Sequence, residues 1–304
     1  MTRMKIGILG GGRWGQALAR LAQAAGHDPL VAYRDKAEKP PHIIPSTNDP
    51  PRVAQECDLL IAATSASELR SAIKLARPGP GNRVIIAGRG IEPGSGLWLS
   101  QVVQEECDAV RIGALAGPAP VDEILNGGLC AGVVASPYAE VRALFTTGLH
   151  STRYRVYESD DLAGVQLAGA FVPVLATLLG MATTLRGAGV GVHAMVVARG
   201  LEEGGRLAKA IGARPETLSG LAGVGDLMAS QATTAHPNFQ AGVALAKGDR
   251  SQGPRAIAET IVKLARASRV EMPLTEAMVE IWKGLDPLEA VQGLMSRKAT
   301  KEHG

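Results

Sequence analysis

Ile6-Gly7-Ile8-Leu9-Gly10-Gly11-Gly12-Arg13-Trp14-Gly15 opens the chain with an apolar run and then, at once, glycines. The run Lys5–Leu9 reads as a strand, and Trp14–Ala25 carries a helical pattern. Gly10, Gly12 and Gly15 stand between them in the spacing G-x-G-x-x-G. Each glycine has a task in a dinucleotide fold. Gly10 makes the tight turn, Gly12 lets backbone approach a pyrophosphate, and Gly15 allows the helix to pack closely on the strand. The helix N-terminus then presents free N–H groups and a positive dipole end to the phosphates, and Arg13 and Trp14 beside it are candidate cofactor contacts.

Cofactor choice turns on the end of the next strand, Pro29–Tyr33, followed by Arg34-Asp35-Lys36. Asp35 lies 20 residues past Gly15, where a carboxylate would hold the ribose hydroxyls of NAD. Arg34 and Lys36 flank it, and a guanidinium suits the 2′-phosphate of NADP. The three residues otherwise read as solvated turn charges. The balance leans to NADP over NAD.

Outward from the loop, a short helix at Arg52–Glu56 and apolar runs at Leu59–Ala63, Val84–Ala87, Val110–Ala114 and Ala131–Ala135 continue the alternation. Strands alternating with helices predict a parallel sheet covered on both faces. Near residue 155 the pattern changes to long Ala- and Leu-rich helical stretches. The expectation is therefore an α/β chain: a Rossmann-type doubly wound parallel sheet over 1–155, binding the dinucleotide, and an all-α substrate domain over 156–304. Leu167–Leu185 contains no charged residue and matches a membrane span in length. Glycines, threonines and Pro173 dilute it, so it reads as a buried helix that Pro173 kinks or starts. The tail Arg297–Gly304 reads as a charged, fraying end.

Composition narrows the function classes. The chain has 304 residues, 46 % hydrophobic and 20 % charged, which excludes a disordered polymer. A net charge of +3 and 3 % aromatic residues give no footing for nucleic acid. The three cysteines, Cys57, Cys107 and Cys130, form neither a disulfide framework nor a zinc set, so no metal is expected and a reducing cytoplasm fits. No signal-peptide pattern is present, and no membrane partner is expected.

Further segments carry a family resemblance: Gly90-Ile91-Glu92, Gly117-Pro118, Tyr157-Glu158-Ser159-Asp160-Asp161 with Gly164-Val165, Ala198-Arg199-Gly200, Gly220-Leu221-Ala222-Gly223-Val224-Gly225-Asp226-Leu227, and Leu294-Met295-Ser296-Arg297. In their order and spacing, together with the glycine loop, the chain resembles the soluble bacterial NAD(P)-dependent glycerol-3-phosphate dehydrogenases along nearly its whole length. The resemblance implies a Rossmann domain followed by a helical domain, a homodimer, and reduction of dihydroxyacetone phosphate to glycerol 3-phosphate.

Against that family the chain departs where charge is expected. Val172 and Pro173 stand at the family's catalytic lysine and its neighbouring asparagine. Pro237 stands at its phosphate-binding arginine, and Gly191-Val192-His193-Ala194-Met195 replaces an Asn-x-Lys-Ala-Ala motif. Gln252 stands where a glutamate is expected. Arg89 replaces a lysine and keeps the charge, as a candidate for both cofactor and substrate contact. Asp226 matches the active-site aspartate, Ser230 a threonine hydroxyl, and Asn238 an asparagine that the substrate would meet. The altered residues predict weak or absent turnover of dihydroxyacetone phosphate.

Two histidines are candidate substitutes. His193 occupies a basic position of the family motif and reads either as an acid–base group or as a packed residue. His236 lies in a polar loop and reads either as a cleft residue meeting substrate or as a solvated one. Asp226 reads as a functional carboxylate or as a first-turn helix acid. The catalytic candidates are thus Asp226, Ser230 and His193, for a small-molecule substrate bound beside NAD(P). The second reading is a dinucleotide-binding paralogue or redox sensor without catalysis.

Overall fold

The computed structural model describes residues 3–34, 41, 43–185, 187–232 and 236–297. Asp35, Lys36 and the segment 298–304 lie outside the described residues. The described strands are β1 (Lys5–Leu9), β2 (Asp28–Ala32), β3 (Ser46–Thr47), β4 (Leu59–Ala62), β5 (Arg83–Ile86), β6 (Arg111–Ala116), β7 (Cys130–Ala135) and β8 (Tyr154–Ser159). They form one sheet in the order β3-β2-β1-β4-β5-β6-β7-β8.

Alternation along the strands decides the two layers. Ile6 and Ile8 of β1 enter one core, with Leu18 of α1 (Arg13–Ala24), Ile124 of α5 (Val121–Leu125) and Phe145 of α6 (Ala139–Leu149). Leu9 and its neighbours Leu60 and Ile86 enter the other core. There they meet Val53 of α2 (Pro50–Glu56), Leu69 of α3 (Ala66–Ala76) and Val102 of α4 (Leu99–Glu106). The sheet is therefore doubly wound, as the alternation predicts.

Two details depart from the expectation. β7 runs antiparallel to β6, pairing Ala114 with Ala135, while the other described pairings are parallel. The connecting α5 rises only about 7.5 Å at 1.5 Å per residue, too short to carry the chain back along a six-residue strand of about 20 Å. The boundary expected at 155 falls inside β8, which pairs with β7 from Cys130↔Tyr154 to Ala135↔Ser159. Tyr154 and Val156 are buried and Arg155 and Tyr157 exposed, the period-two pattern of a half-buried edge strand. The sheet thus runs to Ser159.

The helical part contains α7 (Leu162–Thr184), α8 (Val190–Ala210), α9 (Pro215–Ser219), α10 (Asp226–Ala232), α11 (Pro237–Ala246), α12 (Arg255–Ala267), α13 (Pro273–Lys283) and α14 (Pro287–Met295). A wide π-type turn over Leu221–Gly225 leads into α10. α7 is the described helix long and apolar enough to cross a membrane, yet 89 % of its most apolar window is buried inside the protein. It starts at Leu162, not at Pro173, with Asp161 Oδ1 accepting the Gly164 N–H at 3.0 Å. Pro173 sits within it, and the Thr177 hydroxyl donates to the Pro173 carbonyl at 2.8 Å.

α11 crosses α7 at glycine contacts. A Cβ on Gly242 would overlap the Thr177 carbonyl oxygen, and one on Gly180 would overlap that of Phe239. Only hydrogen at both positions lets the backbones approach so closely. This crossing fixes where the N-terminus of α11, with His236, Pro237 and Asn238, meets the sheet.

Candidate active site

The glycine loop leaves β1 and turns at Gly10, whose φ of +121° is closed to most side chains and whose Cβ would lie 2.7 Å from the Ala63 carbonyl. A Cβ on Gly15 would overlap the Gly10 carbonyl. Gly12 caps α1 without a side-chain hydrogen bond, and a Cβ there would meet nothing within 4 Å. The first-turn N–H groups of α1 have no acceptor within the helix, and no side chain crowds Gly12 before them, as an anion site requires. Trp14 anchors the helix start by donating its indole N–H to the Ala87 carbonyl at 2.9 Å.

Two cavities meet at this loop. The smaller, about 140 Å³, runs past Gly10 and Gly12 to Ala32, Tyr33 and Arg34 at the end of β2. At that end the Arg34 guanidinium donates to Glu68 at 2.7 Å. The larger, about 600 Å³, opens between the sheet and the helical part, with Trp14, Thr64, Arg89, Asp226, His236 and Asn238 on its walls. Ala63, Thr64 and Ser65 line both, so the two adjoin across the C-terminal ends of β1 and β4. The Thr64 hydroxyl is buried there without a protein partner, an orphaned polar group at the seam. Open helix N–H groups, an uncrowded Gly12 and this free hydroxyl fit a dinucleotide laid along both cavities.

The charge of the larger cavity is concentrated in one pair. Arg89, three residues past β5, donates through Nη1 to Asp226 Oδ2 at 2.6 Å and through Nη2 to Oδ1 at 2.9 Å. Nη2 also reaches the Gly117 carbonyl at 3.2 Å. The Asp226 side chain is 4 % exposed and that of Arg89 33 %. Burial pushes the Asp226 carboxyl up, and the facing guanidinium works against it. Asp226 thus does not spend its oxygens on its own helix; it holds the planar fork of Arg89 at the cavity wall. The Ser230 hydroxyl donates to the Asp226 carbonyl at 2.8 Å, one turn along α10.

The sequence candidates divide. Arg89, Asp226, Ser230, His236, Asn238 and Trp14 converge on the larger cavity, and Gly10, Gly12 and Arg34 on the smaller. Arg13 lines neither; it pairs with Asp122 on the exposed side of α1. His193 sits in the first turn of α8, its N–H on the Gly189 carbonyl, outside the lining of both cavities. The spacing of the family motif carries no information about which helix face turns to the cleft. Val172, at the expected lysine, is 1 % exposed in the core. Thr64 escaped sequence reasoning; its one signal is a position just past a strand that neighbours β1, where open α/β sheets bind ligands.

A glycine-turned parallel sheet facing a helical domain across a dinucleotide-sized cleft defines an NAD(P)-dependent oxidoreductase. Comparison with known proteins narrows the class. Residues 36–142 match the model of the NAD-dependent glycerol-3-phosphate dehydrogenase N-terminus, and residues 161–292 that of its C-terminus. The chain belongs to the NAD-dependent glycerol-3-phosphate dehydrogenase family. Glycerol-3-phosphate dehydrogenase (NAD(P)+) of Bradyrhizobium diazoefficiens is 33 % identical, covering 96 % of both chains. That of Aromatoleum aromaticum is 34 % identical over 98 % of this chain and 100 % of its own. The crystal structure of glycerol-3-phosphate dehydrogenase from Coxiella burnetii superposes with a TM-score of 0.87 at 27 % identity, covering 97 % of this chain and 99 % of that one. Likeness along the full length of named dehydrogenases lends no support to a paralogue without catalysis.

Proposed function

We propose that this protein interconverts a small secondary alcohol and its ketone in the larger cavity, with NAD(P) along the glycine loop. The observation that carries the reading is that the cavity at Gly12 adjoins the larger one along Ala63, Thr64 and Ser65, with the Thr64 hydroxyl unpartnered between them. When bound, the nicotinamide accepts or supplies the hydride. The α1 N-terminus would hold the pyrophosphate, and Arg34 would meet the adenosine ribose. A 2′-phosphate there would take the place of the Glu68 carboxylate on the guanidinium, which favours NADP. Arg89 meets the substrate oxygen, Asp226 fixes Arg89 in place, Ser230 supports the Asp226 backbone, and Asn238 and His236 complete the substrate wall. His193 has no part in this arrangement.

The relatives are named for glycerol 3-phosphate. Here Arg89 is the single cation on the described lining of the larger cavity, and it is already held by Asp226. A phosphate dianion would have to share it, so glycerol 3-phosphate and dihydroxyacetone phosphate are poor substrates in this reading. The free thiols of Cys57, Cys107 and Cys130 suit a reducing cytoplasm, and the family likeness supports a homodimer. Thermal denaturation with NADPH and NADH tests the reading directly. A melting temperature that rises with NADPH concentration supports it, and one that moves with neither nucleotide refutes it.

A further inference from the structure

We propose that the imidazole of His236 is the group that exchanges a proton with the substrate oxygen, beside the Arg89 guanidinium. The assignment rests on the dinucleotide reading above and adds a role to it. Proton exchange near neutral pH requires a titratable group whose proton site is not already committed. The described wall of the larger cavity offers few. Asp226 gives both oxygens to Arg89, and Arg89 spends its terminal nitrogens on Asp226 and the Gly117 carbonyl. The Ser230 hydroxyl is tied to the Asp226 carbonyl, and Ser65 to Glu68. Asp122 is paired with Arg13, and Glu123 is turned toward the Cys130 thiol on an exposed rim. Thr64 has a free hydroxyl, but alcohols do not titrate in this range.

His236 differs on each count. It lines the cavity at the N-cap of α11, one residue before Pro237. Its Nδ1 is shut off from solvent and has no hydrogen-bond partner among the described residues, so none of them locks the ring into one tautomer. The ring as a whole lines the cavity, and with Nδ1 shut away the exchange is assigned to Nε2. Burial and the nearby Arg89 charge push the imidazole below its ordinary value, and the positive end of the α11 dipole acts in the same direction. The charged groups sharing the cavity wall are Arg89 from the sheet, Asp226 from α10, and Asp122 and Glu123 from α5. Asp226 is neutralised by Arg89, and Asp122 and Glu123 sit at the exposed rim.

The ring is therefore neutral at pH 7 and ready to accept. In the oxidation direction the neutral ring keeps its own proton on Nδ1, the substrate O–H bond breaks and the substrate proton passes to Nε2. The electron pair of that bond closes the C=O, and an oxidised nicotinamide, when bound, would supply the acceptor for the C–H electron pair as hydride. Reduction runs the same atoms backwards and needs the imidazolium, so it speeds up as pH falls toward the ring's own pKa.

The test uses the full chain and His236→Gln. Imidazole nitrogen NMR of the protein without nucleotide, with the His236 signal identified by its loss in the variant, reads the ring pKa; the expected value lies below about 6.5. Oxidation of glycerol 3-phosphate, glycerol and propane-1,2-diol is followed against pH. The expected wild-type kcat/KM has an acid limb at the NMR value. In the variant the limb is absent and kcat/KM falls by about a hundredfold to ten-thousandfold, with the NADPH-induced rise in melting temperature intact. A variant within about fivefold of wild type, a limb that survives the substitution, or a ring titrating at 6.5 or above overturns the assignment. So does nucleotide binding without turnover of any of the three alcohols. Absence of nucleotide binding in the wild type overturns the dinucleotide reading itself, and this assignment with it.

Discussion

The two oxygens of Asp226 meet the two terminal nitrogens of Arg89 at 2.6 and 2.9 Å, joining a residue just past β5 to the first residue of α10. One side of this bridge belongs to the sheet and the other to the helical part. The pair therefore does two things at once: it orients a guanidinium toward the cavity, and it ties the two walls of the cleft together.

Asp226→Asn keeps the shape and removes the charge. Breaking a buried pair by neutralising one partner costs about 3–5 kcal/mol; Arg89 is a third exposed and can be rehydrated, so the lower end applies. The expected outcome is a lowered melting temperature together with a fall in kcat/KM of at least about tenfold, because Arg89 is no longer held at the substrate oxygen. Arg89→Lys keeps the charge the resembled family carries there but offers one ammonium to two oxygens, so its melting temperature is expected to fall below that of the wild type. Unchanged kinetics in Asp226→Asn would show that the pair is structural alone.

Turnover of dihydroxyacetone phosphate is expected to be weak, and Pro237→Arg to improve it. Pro237 is the first residue of α11 and lies on the wall of the larger cavity, where the resembled family carries its phosphate-binding arginine. A charged hydrogen bond to phosphate contributes about 1.5–3 kcal/mol, against about 0.3–1 kcal/mol for placing a cation at a helix N-terminus. The difference predicts about a tenfold gain in kcat/KM for the phosphate ester and no gain for glycerol. Steady-state kinetics with both substrates checks it. A gain for both would point to improved folding rather than phosphate recognition.

The sequence revealed the sheet and its glycine turn because the constraint there is steric and local: Gly10 needs its positive φ and Gly15 its missing Cβ whatever surrounds them. It also named Arg89 and Asp226 separately. It could not pair them, since 137 residues separate them and neither spacing nor periodicity records a contact across a cleft. β8 was missed because its two-residue alternation is short and lies where the composition turns helical. His193 lies outside the lining of both cavities for a related reason. A motif position fixes a residue along α8, while the direction its side chain takes is set by packing. Thr64 has no pattern at all; only the absence of a partner for its hydroxyl marks it.

Gly242→Ala is expected to disturb the cleft from the opposite side of α11. The added methyl would meet the Thr177 carbonyl oxygen and lie 2.6 Å from the Met181 amide nitrogen, both backbone atoms of a helix that cannot yield locally. Forcing α11 away from α7 costs about 1–3 kcal/mol or more, and it shifts His236 and Asn238 at the other end of the helix. The expected result is a lower melting temperature with a larger relative loss in kcat than in nucleotide affinity, since the glycine loop lies on a different element. Separate measurement of NADPH binding and kcat resolves the two.

Glu203 gives a pH dependence far from the cleft. Its side chain is buried in α8, yet its carboxyl accepts the N–H of Leu274 at 2.6 Å and both the N–H and hydroxyl of Thr275, at 3.2 and 3.0 Å, capping α13. Burial outweighs these donors and pushes the carboxyl up to about 7. In the unfolded chain it titrates at about 4.3. Between these values the folded state holds a proton that the unfolded state has released, so stability falls as pH rises, by about 1.4 kcal/mol per unit from this group. Above about pH 7 both states are ionised and the dependence ends. Glu203→Gln removes the titration while retaining an acceptor for Leu274. Denaturant unfolding at pH 5.5 and pH 8 is therefore expected to show a smaller stability difference in the variant than in the wild type. An equal difference in the two proteins would mean that Glu203 is already ionised in the folded state at pH 5.5.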